Sequence, residues 1–231
     1  MYDPASAAAI RHAIGAPVRT RVKICGCRSV SDAWSALKAG ADAVGVILAA
    51  DSPRRVSMEQ LRGIAEAMPA LASLVAVFVD APGPLVDEAL KVGAVPQFHG
   101  DEDAEWCESI AAGPYLKAYH VVADDPLDPQ AFAAFARPFE HATWLFDTAR
   151  AGGGSGGTGR TFAWEKVVAL GAQRAVVVSG GLTPENVGEC VRIARPYAVD
   201  VSSGVESDGK KDPRKMLEFV RAVRAADAQT P

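Results

Sequence analysis

Asp147 closes a short apolar run, Trp144-Leu145-Phe146, and is followed by Thr148 and then by six glycines within positions 152–159. A run of that length and composition reads as a buried strand, so the carboxyl sits where the strand stops. Glycine lets a backbone approach a ligand closely and turn its N–H groups inward, which suits an anion such as phosphate. Asp147 therefore either caps the following turn or, at the mouth of an apolar enclosure, has a raised pKa and donates a proton. A plain Gly/Ser linker would account for the glycines, but no composition shift marks a boundary and both flanks are strongly patterned. Two better-known phosphate loops fit less well. Gly154 to Thr161 spells G-x-x-x-x-G-R-T, with Arg160 where a P-loop needs its lysine. Gly152-x-Gly154-x-x-Gly157 matches a dinucleotide fingerprint only through glycine repetition late in the chain.

Cys25 lies at the end of another strand pattern, with Lys23 two residues before it. Alternation puts the two side chains on one face, and a nearby cation favours thiolate, lowering a thiol pKa from about 8.5 towards neutrality. The bland reading of Cys25 is a small buried hydrophobe. Cys27 shares the parity but lies past Gly26 and reads as a loop residue. After Pro53, one of Arg54 and Arg55 offers a partner for a substrate carboxylate, while the other is simply solvated. His99 reads equally well as a structural histidine or a ligand contact. Ser179-Gly180-Gly181 and Ser202-Ser203-Gly204 are small-residue turns leading towards helices, the setting in which backbone N–H groups hold phosphate.

The elements that must position these residues alternate along the chain. Strand patterns cover 21–25, 43–48, 73–79, 95–98, 115–122, 144–147, 174–178 and 198–201. Helical patterns follow each of them. The first runs from 31 to 39 with Ser31 as its cap and Gly40 at its end, and the second opens at Ser57 with a Ser…Gln capping box. Later ones begin near the acidic stretch 101–103, cover 129–136, about 163–170 and 213–226, and start at Thr183 with Pro184 in the first turn. Strands this apolar are covered on both faces, which means a parallel sheet. Eight βα units in 231 residues fit a single (β/α)8 TIM barrel over 21–231, with 1–20 as a loosely ordered N-terminal extension. A doubly wound open sheet is the structural competitor. A barrel puts its chemistry where strands end and βα loops begin.

Hydrophobic residues make up 49% of the chain, enough for a large core, and the net charge of −4 offers no basic footprint for nucleic acid. No apolar stretch is long enough to cross a bilayer, and the start lacks a signal-peptide core. The spacing of Cys25, Cys27, Cys107 and Cys190 gives no paired thiolate set for zinc, so no metal is expected. Without a secretory signal the cysteines are expected reduced, in the cytoplasm.

On the residues just described, the sequence resembles the phosphoribosylanthranilate isomerase family, barrel enzymes of tryptophan biosynthesis. The resemblance runs from Val22 to about Lys215. It rests on blocks that include Val22-Lys23-Ile24-Cys25-Gly26, Ser52-Pro53-Arg54, Gln97-Phe98-His99-Gly100-Asp101-Glu102 and Phe146-Asp147-Thr148. Further blocks are Gly156-Gly157-Thr158-Gly159-Arg160-Thr161-Phe162, Ser179-Gly180-Gly181-Leu182-Thr183-Pro184-Glu185-Asn186 and Asp200-Val201-Ser202-Ser203-Gly204-Val205-Glu206. Departures are Ala163 where the family usually has aspartate, Phe98 for leucine, Cys27 after the Cys-Gly pair and a less aromatic 46–49 stretch.

The resemblance implies an Amadori rearrangement of N-(5-phosphoribosyl)anthranilate. Asp147 would match the general acid and Cys25 the general base. Arg54 would receive the anthranilate carboxylate, with His99 also at the substrate. Backbone around Gly157, Gly180, Gly181, Ser202, Ser203 and Gly204 would take the phosphate, with Lys23 and Asp200 supporting. It implies no cofactor, a phosphorylated sugar–anthranilate as the small-molecule substrate, and a monomer or homodimer. Two alternatives stand beside it. One is a barrel isomerase of the histidine-pathway type, which generally uses two aspartates and so fits poorly with Cys25. The other is a phosphate-binding relative without catalysis.

Overall fold

The structure, a computed structural model, describes residues 19–111, 113–121, 127–148, 164–171 and 175–229. Eight parallel strands close into a barrel: β1 (Arg21–Ile24), β2 (Ala43–Ile47), β3 (Ser73–Phe78), β4 (Val95–Phe98), β5 (Tyr115–Val121), β6 (Ala142–Thr148), β7 (Val176–Val178) and β8 (Ala198–Val201). Each strand is followed by its helix: α1 (Val30–Ala39), α2 (Met58–Ala67), α3 (Gly83–Lys91), α4 (Ala104–Ala111), α5 (Pro129–Ala136), α6 (Glu165–Gly171), α7 (Val187–Ala194) and α8 (Pro213–Asp227). The expected barrel is therefore the observed fold, and the open sheet is excluded because β8 pairs with β1 from Arg21↔Ala198 to Ile24↔Val201. Residues 1–18 of the expected 1–20 extension and the glycine-rich loop 152–159 lie outside the described residues. The last two residues of the extension are not loose, since Thr20 is buried and donates to Asp227 while Arg19 donates to Asp42.

Local chemistry explains most boundaries. Gly40 ends α1 with φ of 99°, a left-handed conformation that suits glycine at a helix terminus. Ser57 caps α2 through the expected box, accepting from the Gln60 N–H while the Gln60 side chain accepts from the Ser57 N–H. Three expectations need correction. Ser29, not Ser31, caps α1, accepting from the Asp32 N–H, so Ser31 already lies inside the helix. Regular helix in α7 begins at Val187 rather than Thr183. The Asn186 side chain holds the preceding turn, accepting from the Thr183 N–H and donating to the Gly181 carbonyl. Pro184 therefore lies in that turn, before the helix. Finally, β6 starts at Ala142, two residues before the apolar run, because Ala142 and Thr143 continue the ladder against Tyr115 and Leu116.

Two apolar layers hold the barrel. The larger lies between strands and helices; the smaller, Ala118, Leu145, Val177 and Ala198, is a separate cluster of strand residues inside the barrel. Alternation along β6 sorts its side chains accordingly: Trp144 and Phe146 point outward, Leu145 and Asp147 inward. Phe132 of α5 secures the outward pair, its ring centroid 5.1 Å from both Trp144 and Phe146, and 5.1 Å from Tyr119 of β5 at 88°. These rings fix the strand that delivers Asp147. Truncating Phe132 to alanine should cost about 3–5 kcal/mol, read from urea unfolding followed by tryptophan fluorescence. A loss below about 1 kcal/mol would show that the cluster does not anchor β6.

Candidate functional site

The C-terminal ends of the strands surround a cavity of about 480 Å³, within the range of small-molecule sites. Cys25, Arg54, His99, Asp147, Gly180, Gly181, Asp200, Ser202, Ser203 and Gly204, all singled out in the sequence, line it together. Gly157 lies outside the described residues, and Lys23 sits one layer deeper in the barrel.

Closure of β8 on β1 sets Lys23 opposite Asp200, and the two buried side chains form an ion pair with Nζ 2.9 Å from Oδ1. Burial pulls Lys23 towards neutrality, but Asp200 and the Cys25 sulfur together outweigh it and hold the ammonium above its ordinary value. The Cys25 thiol, only 6% exposed, lies above this pair. Here the expectation of a lowered thiol pKa is corrected. Desolvation raises it, the charge of Asp200 adds to the rise, and Lys23 and Lys211 only moderate it, so the net shift is upward. The lysine is where alternation puts it, but its charge is already shared with Asp200. Gly45 makes room for the sulfur: a Cβ there would stand 2.8 Å from Cys25 Sγ and 3.0 Å from its Cα.

Asp147 is 5% exposed on the opposite side of the cavity mouth. Its Oδ2 lies 3.1 Å from His99 Nε2, and His99 Nδ1 lies 3.1 Å from Gln97 Nε2. With the Gln97 amide donating to Nδ1, the ring proton belongs on Nε2 and is donated to the carboxyl. Oδ1 is buried and has no hydrogen-bond partner among the described residues. Gly180 leaves space beside it, since a Cβ at that residue would come within 2.7 Å of Oδ1 and 2.5 Å of the Thr148 nitrogen. Its φ of +86° also favours glycine.

The loops after β7 and β8 meet closely. A Cβ on Gly204 would overlap the Leu182 carbonyl oxygen, so only glycine permits this approach. Gly204 lies in a 3₁₀ turn, Ser203–Val205, whose first N–H groups have no partner within the turn and are free to meet an anion. The Ser202 hydroxyl is buried beside them without a partner among the described residues.

Arg54 is not the free cation that its loop position suggested. Its Nε and one terminal nitrogen each lie 2.7 Å from the Glu206 carboxylate, and Lys211 Nζ reaches the same carboxylate at 2.8 Å. The guanidinium is thereby fixed, with its other N–H donors available at the cavity wall. Glu206 and Lys211 belong to a short hairpin, β9 (Glu206–Ser207) and β10 (Lys210–Lys211), joined by Asp208 and Gly209 at φ of 52° and 70°. Their roles were missed, although Asp208-Gly209 is a strong two-residue hairpin signal. Gln97 was also missed as a site residue; its even spacing from His99 along one strand was the available clue.

The model of the N-(5′-phosphoribosyl)anthranilate (PRA) isomerase family matches residues 22–222. A protein of that name from Pseudomonas fluorescens is 42% identical over 212 residues, covering 90% of this chain and 97% of its own. One from Geobacter metallireducens is 41% identical over 209 residues, covering 89% and 99%. The crystal structure of the Thermotoga maritima isomerase superposes with a TM-score of 0.78 at 35% identity, covering 89% of this chain and 99% of that one. A second solved isomerase, in complex with reduced 1-(o-carboxyphenylamino)-1-deoxyribulose 5-phosphate, has a TM-score of 0.75 at 34% identity over the same shares.

Burial alone would raise the Glu206 carboxyl, but the hydrogen bonds and charges of Arg54 and Lys211 outweigh it and hold the group at about 2. Since its ordinary value is 4.5, this contribution to stability is complete above pH 4.5 and is lost as the pH falls towards 2. Urea midpoints measured across that window should fall more steeply for the parent than for Glu206→Gln. Equal slopes would remove Glu206 from the acid response.

Proposed function

The chain belongs to the N-(5′-phosphoribosyl)anthranilate isomerase family, and from that premise we propose that it catalyses the Amadori step of tryptophan biosynthesis with Asp147 as acid and Cys25 as base. The substrate is N-(5′-phosphoribosyl)anthranilate and the product 1-(2-carboxyphenylamino)-1-deoxyribulose 5-phosphate. The observation that carries the assignment is the shared cavity: a thiol from β1 and a carboxyl from β6 line one space, with a fixed guanidinium and two glycine-rich loops around it.

The chemistry needs two groups of opposite initial protonation. Asp147 gives a proton to the furanose ring oxygen, and the C1′–O4′ bond breaks as the anthranilate nitrogen lone pair forms the C1′=N bond. The Cys25 thiolate then takes the C2′ proton, and the C–H electron pair forms the C1′=C2′ bond of an enolamine. Tautomerisation returns a proton to C1′ and leaves the carbonyl at C2′. C2′ is oxidised as C1′ is reduced, so the electrons balance within one molecule and no external oxidant is called for. Lys23 stabilises the thiolate as it forms. The N–H donors that Glu206 leaves to Arg54 meet the anthranilate carboxylate. Backbone around Gly180, Gly181, Ser203 and Gly204, with the Ser202 hydroxyl, receives the phosphate, joined by Gly157 from the preceding loop. His99 contacts the substrate while donating to Asp147. All four cysteines are free thiols, which fits a reducing cytoplasmic setting.

Each acid or base of this kind contributes typically about 10²–10⁴-fold. Cys25→Ala and Asp147→Asn should each lower kcat by that order with unchanged unfolding midpoints. The wild-type gene should restore growth without tryptophan to a strain lacking this isomerase, and the Asp147→Asn gene should not. An unaltered kcat in either variant would withdraw that residue, and failure of the soluble wild type to rescue would overturn the activity itself.

A further inference from the structure

His99, His120 and Asp147 come from the ends of the three consecutive strands β4, β5 and β6. One ligand atom from each lies within 4.8 Å of the other two. His99 and Asp147 line the active cavity, whereas His120 is exposed on the adjoining wall and has no part in the rearrangement proposed above. Two imidazoles and a carboxylate are a donor set for zinc that leaves a coordination position open. Imidazole nitrogen suits zinc, cobalt and nickel, where magnesium and calcium prefer oxygen. At metal–ligand distances of about 2.0–2.1 Å, tetrahedral ligands stand about 3.4 Å apart. Closing the cluster to that size is a small motion of the exposed His120 side chain, whose ring already packs against His99 with centroids 5.0 Å apart.

The surrounding hydrogen bonds favour ligation. His120 Nε2 lies 3.1 Å from the His99 carbonyl, which only accepts, so the proton is on Nε2 and the Nδ1 lone pair is available. When a metal takes His99 Nε2, the ring proton moves to Nδ1 and needs an acceptor. Gln97 is 1% exposed and its Oε1 has no partner among the described residues. Rotating that amide by half a turn presents Oε1 to Nδ1–H, the outer contact that metal-bound imidazoles usually make.

We propose that His99, His120 and Asp147 bind one divalent cation of the zinc class, and that the bound cation stops turnover by occupying the Asp147 carboxylate. The binding stands on the cluster alone; the inhibition rests on Asp147 being the general acid. None of the four cysteines belongs to this donor set, so the absence of paired thiolate spacing does not bear on it.

The test is a Zn²⁺ titration of the purified full-length chain against a chromophoric chelator, run beside turnover assays on the parent and on His120→Gln. Glutamine at that position retains a donor for the His99 carbonyl and removes the ligand. The parent should bind one Zn²⁺ per chain and lose activity in parallel, with recovery on chelation and no such loss with Mg²⁺. His120→Gln should bind at least ~10-fold more weakly, resist inhibition and turn over like the metal-free parent. Cobalt bound to the parent should show no thiolate charge-transfer band. The metal site is overturned by absence of stoichiometric binding, by equal affinity in His120→Gln, or by a thiolate band assigning the metal to Cys25. Binding that depends on His120 but leaves turnover intact would support the metal site and overturn the assignment of Asp147 as the acid.

Discussion

The pairing of β8 with β1 is the constraint on which the site depends. It closes the sheet, and in doing so it sets Lys23 against Asp200 beneath Cys25. Buried charges are tolerated when paired, and removing one partner is far more costly than the pair is worth. The ion pair therefore works as a fixed local field more than as a source of stability. It leaves the thiol raised at rest, because burial and Asp200 outweigh the two lysines. For a base that must remove a proton from carbon, that is not a defect. A higher pKa means a smaller thiolate fraction but a stronger base once formed, and Lys23 limits the first cost without abolishing the second gain.

The same closure brings the loops after β7 and β8 to one side of the cavity. Their fit is set by places where no side chain can be added. Gly180 clears Asp147 and Thr148, Gly204 clears the Leu182 carbonyl, and Gly45 clears the Cys25 sulfur. These glycines act through close approach, so their substitution would displace reacting groups rather than merely stiffen loops. Directly after the Ser203–Val205 turn, the β9–β10 hairpin fixes Arg54 through Glu206 and Lys211. A guanidinium already held in place loses less freedom when it meets a carboxylate, the usual advantage of preorganisation.

The barrel was legible because its strands are short, apolar and regularly spaced, and because alternation along them sorts lumen from exterior. The same reasoning brought Cys25, Asp147, Arg54, His99 and the small-residue turns to one rim, where they line a single cavity. What stayed hidden depends on balances between neighbours distant in sequence. Parity predicted Lys23 beside Cys25, but not that burial would raise the thiol, nor that Asp200, 177 residues away, would share the lysine's charge and add to the rise. Arg54 read as a free cation because Glu206 lies 152 residues later, on a hairpin marked only by Asp208-Gly209. The cap on α1 was misread between two serines two residues apart, since only the Asp32 N–H distinguishes Ser29 from Ser31.

The central claim is a division of labour across one cavity, with Asp147 opening the ring and Cys25 removing the C2′ proton. It is tested most directly by the primary kinetic isotope effect on kcat with substrate deuterated at C2′. Cys25→Ser should show a full isotope effect, because proton abstraction limits its turnover, and Asp147→Asn should show almost none, because ring opening comes first and limits it. An isotope effect in Asp147→Asn as large as in Cys25→Ser would place both residues on the same step and contradict the account.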